Sequence, residues 1–108
     1  MNNCIISGNL GSDPETFYTN DGTPITSFNM AFKSGKKTGW IKVSSFQKLA
    51  EIVEQHLKKG NHVVVSGSLD QEQWESEGGK RTSFKLIAQN IDFFHQKSDQ
   101  AEDFAKEE

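Results

Sequence analysis

The chain has 108 residues, a formal net charge of −3, one cysteine and three histidines. That length fits one domain with a modest core, while the lone Cys4 excludes an intramolecular disulfide and the scattered His56, His62 and His95 lack zinc-site spacing, so no metal or other cofactor is expected. Residues 1–8 are too short and uncharged for a signal peptide and no apolar run reaches membrane-span length, so a cytoplasmic protein with no membrane partner is expected.

Residues 4–10 alternate, with Cys4, Ile6 and Leu10 on one face, and predict a strand ending at Gly11. Ser12-Asp13-Pro14-Glu15 and Asn20-Asp21-Gly22-Thr23-Pro24 read as turns. Residues 25–32 alternate again, with Phe28, Met30 and Phe32 together, and residues 34–39 form a polar, basic loop carrying Lys36 and Lys37.

Residues 40–46 predict the most informative strand. Successive strand side chains point to opposite faces. Ile41 and Val43 therefore share a core face, while Trp40, Lys42, Ser44 and Phe46 share the other. Large aromatics beside a cation are unusual for a buried face.

Leu49, Ile52, Val53, His56 and Leu57 form one helical stripe. Ser44 or Ser45 is expected to cap the helix and Gly60 to close it after Lys58-Lys59, with a Glu54–Lys58 pair across one turn. Residues 62–69 predict a strand, and Gly67 inside it predicts a bulge or sharp bend. A hairpin follows, out along residues 70–77, over Gly78-Gly79 and back along residues 80–84. Residues 85–94 close the sheet, with Phe84 and Leu86 on one face.

Residues 1–95 carry ten basic and ten acidic side chains, and residues 96–108 carry two and five. The net charge thus belongs to the end of the chain, expected to be an acidic, disordered tail, and the domain over residues 1–95 is neutral. Three strands, a helix and two strands suit an all-β, five-stranded OB-fold, a Greek-key barrel with one short helix between strands three and four.

Trp40, Phe46 and Trp74 lie on predicted strands, interleaved with Lys42 and Lys48. Aromatic rings stack any nucleobase, and lysines neutralise phosphates. The competing reading is that the aromatics fill the core. That reading suits Phe28, Phe84, Phe93 and Phe94, whereas Trp40 and Phe46 share a face with Lys42, and Trp74 sits in a polar hairpin.

These residues resemble the bacterial single-stranded DNA-binding proteins. The resemblance runs through Gly8-Asn9-Leu10-Gly11-Ser12-Asp13-Pro14-Glu15, Tyr18-Thr19 with Gly22, and Phe46-Gln47-Lys48-Leu49-Ala50-Glu51 leading into Leu57-Lys58-Lys59-Gly60. It continues through Val65-Ser66-Gly67-Ser68-Leu69 and Trp74, so it covers about residues 1–94. It implies an OB-fold that binds single-stranded DNA with little sequence preference and without catalysis, in DNA replication, recombination and repair. It implies a nucleoid-associated homo-oligomer, usually a tetramer, with a dimer as the other arrangement. Stacking positions carry over to Trp40, Phe46 and Trp74, and phosphate-contacting positions to Lys42, Lys48 and Lys59.

The chain departs from that pattern in several places. The loop before Trp40 is short and lacks an extra tryptophan; its Lys36 and Lys37 remain candidate DNA contacts. Phe17 stands where an arginine is common, and is kept as a candidate contact. The outgoing hairpin arm is acidic, Asp70-Gln71-Glu72-Gln73, where a basic arm is usual. Residues 95–108 show neither a Gly/Pro/Gln-rich linker nor an acidic tip ending in an apolar residue, so recruitment of replication and repair proteins through such a tip is not implied. A protein-interaction or replication-restart accessory module with weak DNA affinity is the alternative. A Mg²⁺-dependent nuclease built on Asp70, Glu72, Glu75 and Glu77 is disfavoured, because alternation splits these acids between two faces and no base accompanies them.

Overall fold

The computed structural model describes residues 1–93; Phe94, His95 and the expected tail lie outside the described residues. Its elements are β1 (Cys4–Leu10), β2 (Glu15–Tyr18), β3 (Pro24–Ser34), β4 (Lys37–Phe46), α1 (Gln47–His56), β5 (His62–Ser76) and β6 (Gly79–Phe93). The sheet order is β1-β5-β6-β4-β3-β2, and a further pairing of β1 with β3 closes five strands into a ring. β2 lies outside that ring, on the free side of β3. The fold is the all-β OB type, with its helix between the third and fourth strands of the ring.

The interior is built from the apolar halves of the alternating strands. Leu10, Phe28, Met30, Val43, Val63, Val65, Leu86, Ala88 and Ile91 are buried there, and Val53 and Leu57 close one end from the helix side. Cys4, Ile6, Ile41, Leu49 and Phe93 pack against this cluster. Among the described residues no helix is long and apolar enough to cross a membrane.

Gly67 sits at the expected irregularity. The β5–β6 register shifts between Ser66 and Gly67. A Cβ on Gly67 would lie 1.9 Å from the Ile87 carbonyl oxygen, so only glycine lets the strands approach there. Past this bulge β5 and β6 continue as a long hairpin beyond the core, with every residue from Leu69 to Thr82 exposed.

Several expectations are corrected. Residues 34–39 are not an extended loop: Gly35-Lys36 alone form the turn, because Ser34 pairs with Lys37. Glu15–Tyr18 forms an edge strand. Phe46 occupies the N-cap with no side-chain capping bond. Ser44 and Ser45 are engaged within the sheet instead: the Ser27 and Ser44 hydroxyls meet at 3.2 Å, and Ser45 Oγ donates to the Thr26 carbonyl at 2.8 Å. The helix ends at His56, so Lys58 lies past it and has no helical turn in which to pair with Glu54. Gly60 serves a separate turn and donates its N–H to the Leu10 carbonyl. Ala50, Val53 and Leu57 are buried, whereas Ile52 and His56 are exposed; the His56 ring stacks on Phe93 instead. Phe84 shares a side with Leu86 as expected but is 50% exposed, because β6 comes in from the projecting hairpin and enters the core only at Leu86.

Candidate nucleic-acid interface

The outer face of β4 carries the expected mixture. Trp40 is 61% and Phe46 38% exposed, with Lys42 exposed between them and only Ser44 buried. Each has a cross-strand neighbour on β3: Ala31 opposite Trp40, Asn29 opposite Lys42, Ser27 opposite Ser44 and Ile25 opposite Phe46. Phe17 of β2 is in turn opposite Ile25. Phe17, Ile25 and Phe46 therefore form a row across three strands, ending in an exposed phenyl ring. A groove of about 520 Å³ beside Phe46 is lined by Ile25 and the Thr19–Thr23 turn.

Trp40 is positioned by Gly11. A Cβ there would lie 2.3 Å from the indole Cζ3, so the ring rests directly on the glycine backbone while most of its surface stays in solvent. The Ser12–Glu15 segment then borders a groove of about 320 Å³ that ends on Lys42.

The parallel pairing of β4 with β6 adds residues the sequence reading missed. Lys42 pairs with Lys85, Val43 with Leu86 and Ser44 with Ile87. Lys85 thereby joins the Trp40–Phe46 face. Its amino group lies 2.9 Å from a Glu72 carboxylate oxygen. The hydrogen bond from Lys85, then its charge, and then the charge of Lys42 hold the Glu72 carboxyl below the ordinary carboxylate range. Register places Asp70, Glu72 and Trp74 on this same side of the hairpin, with Arg81 directly opposite Trp74. Arg81 Nε donates to Ser76 Oγ at 3.1 Å, which steadies the guanidinium beside the half-exposed indole. Strand alternation alone carried the β4 side of this face; the β6 side needed the long-range register.

The remaining candidate lysines are more scattered. Lys48 is exposed near the start of the helix. Lys59 lies in the turn after it, where its N–H donates to Asp13 Oδ1 at 2.8 Å and ties that turn to the Ser12–Glu15 segment. Lys36 lies in the β3–β4 turn, and Lys37 begins β4 on the alternation of Ile41 and Val43, opposite to Trp40. Neither therefore shares the aromatic face, although both are exposed.

This sheet offers flat rings and cations side by side on an exposed surface, as stacked bases and a phosphate chain require. The sequence model of the single-strand binding protein family matches residues 1–94. The chain belongs to that family. It is 34% identical to single-stranded DNA-binding protein 1 of Xylella fastidiosa, over 92% of this chain and 81% of the relative. It is 35% identical to the single-stranded DNA-binding protein of Caldanaerobacter subterraneus subsp. tengcongensis, over 91% and 71% of the two chains. Single-strand binding proteins are binding proteins rather than enzymes.

Proposed function

We propose that the chain binds single-stranded DNA across the outer face of β3, β4 and β6, with little sequence preference and without catalysis. The co-facial exposure of Trp40, Lys42 and Phe46 carries this reading. Bases stack on Trp40 and Phe46, with Phe17 extending the second station and Trp74 providing a third on the hairpin. Phosphates are met by Lys42 and Lys85, then by Arg81 beside Trp74, with Lys48 and Lys59 towards the helix. Lys36 and Lys37 contribute long-range charge from the edge.

The binding unit is the domain over residues 1–95, working as a homotetramer or dimer in the cytoplasm, on the nucleoid. Family membership supports roles in replication, recombination and repair. Titration with oligo-dT followed by tryptophan fluorescence tests the reading: quenching with saturable, salt-sensitive binding is expected. A folded protein that leaves oligo-dT unbound at low salt favours the accessory-module reading.

A further inference from the structure

We propose that Glu72 is a built-in competitor for the DNA phosphate at the Lys42–Lys85 pair. The inference rests on the DNA-binding reading above and adds a residue that sets how tightly the strand is held. Two lysines on neighbouring strands repel one another and attract any anion. In the free protein the anion at hand is the carboxylate of Glu72, 2.9 Å from Lys85 Nζ. Lys42 is the register partner of Lys85, so the same carboxylate also lies in the field of the second lysine.

A phosphate approaching Lys85 must therefore take over a partner already present, or accept a second negative charge beside it. The exchange is close to balanced, because one oxyanion replaces another on the same ammonium group. Counterion release is reduced too, since the displaced carboxylate gathers a cation of its own. As the strand peels away, Glu72 recaptures Lys85 without diffusion. The pair thus weakens the complex and speeds its release while leaving the stacking stations untouched.

The side of the hairpin is essential to this argument. Glu75 belongs to the same strand and bears the same charge, but the β5–β6 register places it on the opposite side from Glu72 and Trp74. It is the control for a general effect of net charge.

The experiment measures oligo-dT affinity over a salt series for wild type, Glu72→Gln, Glu75→Gln, Lys85→Gln and the Glu72→Gln/Lys85→Gln double variant, with melting curves to verify folding and Glu72→Ala as a second removal of the acid. Glu72→Gln is expected to bind about twofold to fivefold more tightly, the range available from releasing one exposed ion pair. Its log–log salt slope should steepen by up to about 0.7, one further neutralised phosphate on a single strand. Glu75→Gln should change affinity less, and in the Lys85→Gln background the gain from Glu72→Gln should fall to the Glu75→Gln level. Unchanged affinity in both Glu72 variants overturns the proposal while leaving DNA binding intact, and so does an equal gain from Glu75→Gln or an undiminished gain without Lys85. A wild-type chain that leaves oligo-dT unbound overturns the binding reading and the competitor with it.

Discussion

Lys85 lies beside Lys42 on the parallel pair of strands β6 and β4, although 43 positions separate them in the chain. A parallel neighbour requires a crossover, here supplied by the helix and the long β5–β6 hairpin. Closing the ring thus turns two isolated lysines into a cationic pair between Trp40 and Phe46 on one strand and Trp74 on the hairpin. The first consequence concerns salt. Lys42→Gln should flatten the log–log dependence of oligo-dT affinity on salt by about 0.7. Lys85→Gln should flatten it less, because Glu72 already occupies that lysine. Equal slopes in wild type and both variants would place the DNA backbone elsewhere.

Trp40 should contribute through stacking rather than packing. It is exposed, and its removal leaves no core cavity. Trp40→Ala is expected to weaken oligo-dT binding by about 1–3 kcal/mol with little change in melting temperature. Gly11→Ala tests the same ring from beneath, since the new methyl group meets the indole and must push it off its seat. Reduced affinity in both variants is expected; a large loss of stability from Trp40→Ala would show that the ring serves the fold instead.

Much of this site was legible in local patterning. The bounds of β1, the split of residues 40–46 into a core face and an aromatic face, and the irregularity at Gly67 all follow from period-two alternation and from one glycine inside a strand. What escaped depends on partners distant in sequence. Nothing near Lys85 or Arg81 signals that β6 will bring them to the aromatic face. The serine caps failed because Ser44 and Ser45 find cross-strand partners first. Phe84 was misplaced because alternation gives the side of a strand but not where the core beneath it ends. The short edge strand of Glu15–Tyr18 is largely exposed and shows no clear alternation.

Gly67 joins the ring of strands to its projecting hairpin. Gly67→Ala forces a methyl group into the Ile87 carbonyl, a backbone atom that cannot rotate away. A cost of about 1–3 kcal/mol in unfolding free energy is expected, as for other overpacked interiors. The strands can relieve the clash only by separating, which also tilts Trp74 away from the β4 face. Denaturant unfolding and oligo-dT titration should therefore both register the change, and an unaffected unfolding midpoint would contradict the close approach.

Asp21 gives the β2–β3 turn a dependence on pH. Its carboxyl is held below the ordinary aspartate value first by the Thr19 hydroxyl, then by the side chain and backbone N–H of Thr23. A depressed folded-state pKa stabilises the fold above the unfolded value, and the contribution is lost as pH falls through the folded one. Melting temperature should thus decline on acidification through and below the ordinary carboxylate range, and Asp21→Asn should reduce that decline slightly, since the group is fully exposed. Superimposable acid profiles for the two proteins would remove Asp21 from the account.

Gln47 offers a sharper test of local strain at the end of the aromatic face. It stands between Phe46 and Lys48, where β4 passes directly into α1, and its φ is 56°. That left-handed conformation costs a residue with a Cβ about 1–2 kcal/mol, whereas glycine adopts it freely. Glycine in turn loses about 0.5–1 kcal/mol through the greater freedom of its unfolded chain. Gln47→Gly should therefore leave stability unchanged or raise it by up to about 1.5 kcal/mol, the difference between those effects. Gln47→Val should lower stability, because a β-branched side chain fits that region worst. The abrupt turn also leaves Phe46 at the end of its strand and 38% exposed, so relaxing it in Gln47→Gly should change the contribution of Phe46 to oligo-dT binding. Chemical denaturation of the three proteins decides the matter: a loss of about 1 kcal/mol in Gln47→Gly, the ordinary cost of glycine inside a helix, would mean that the residue is not strained.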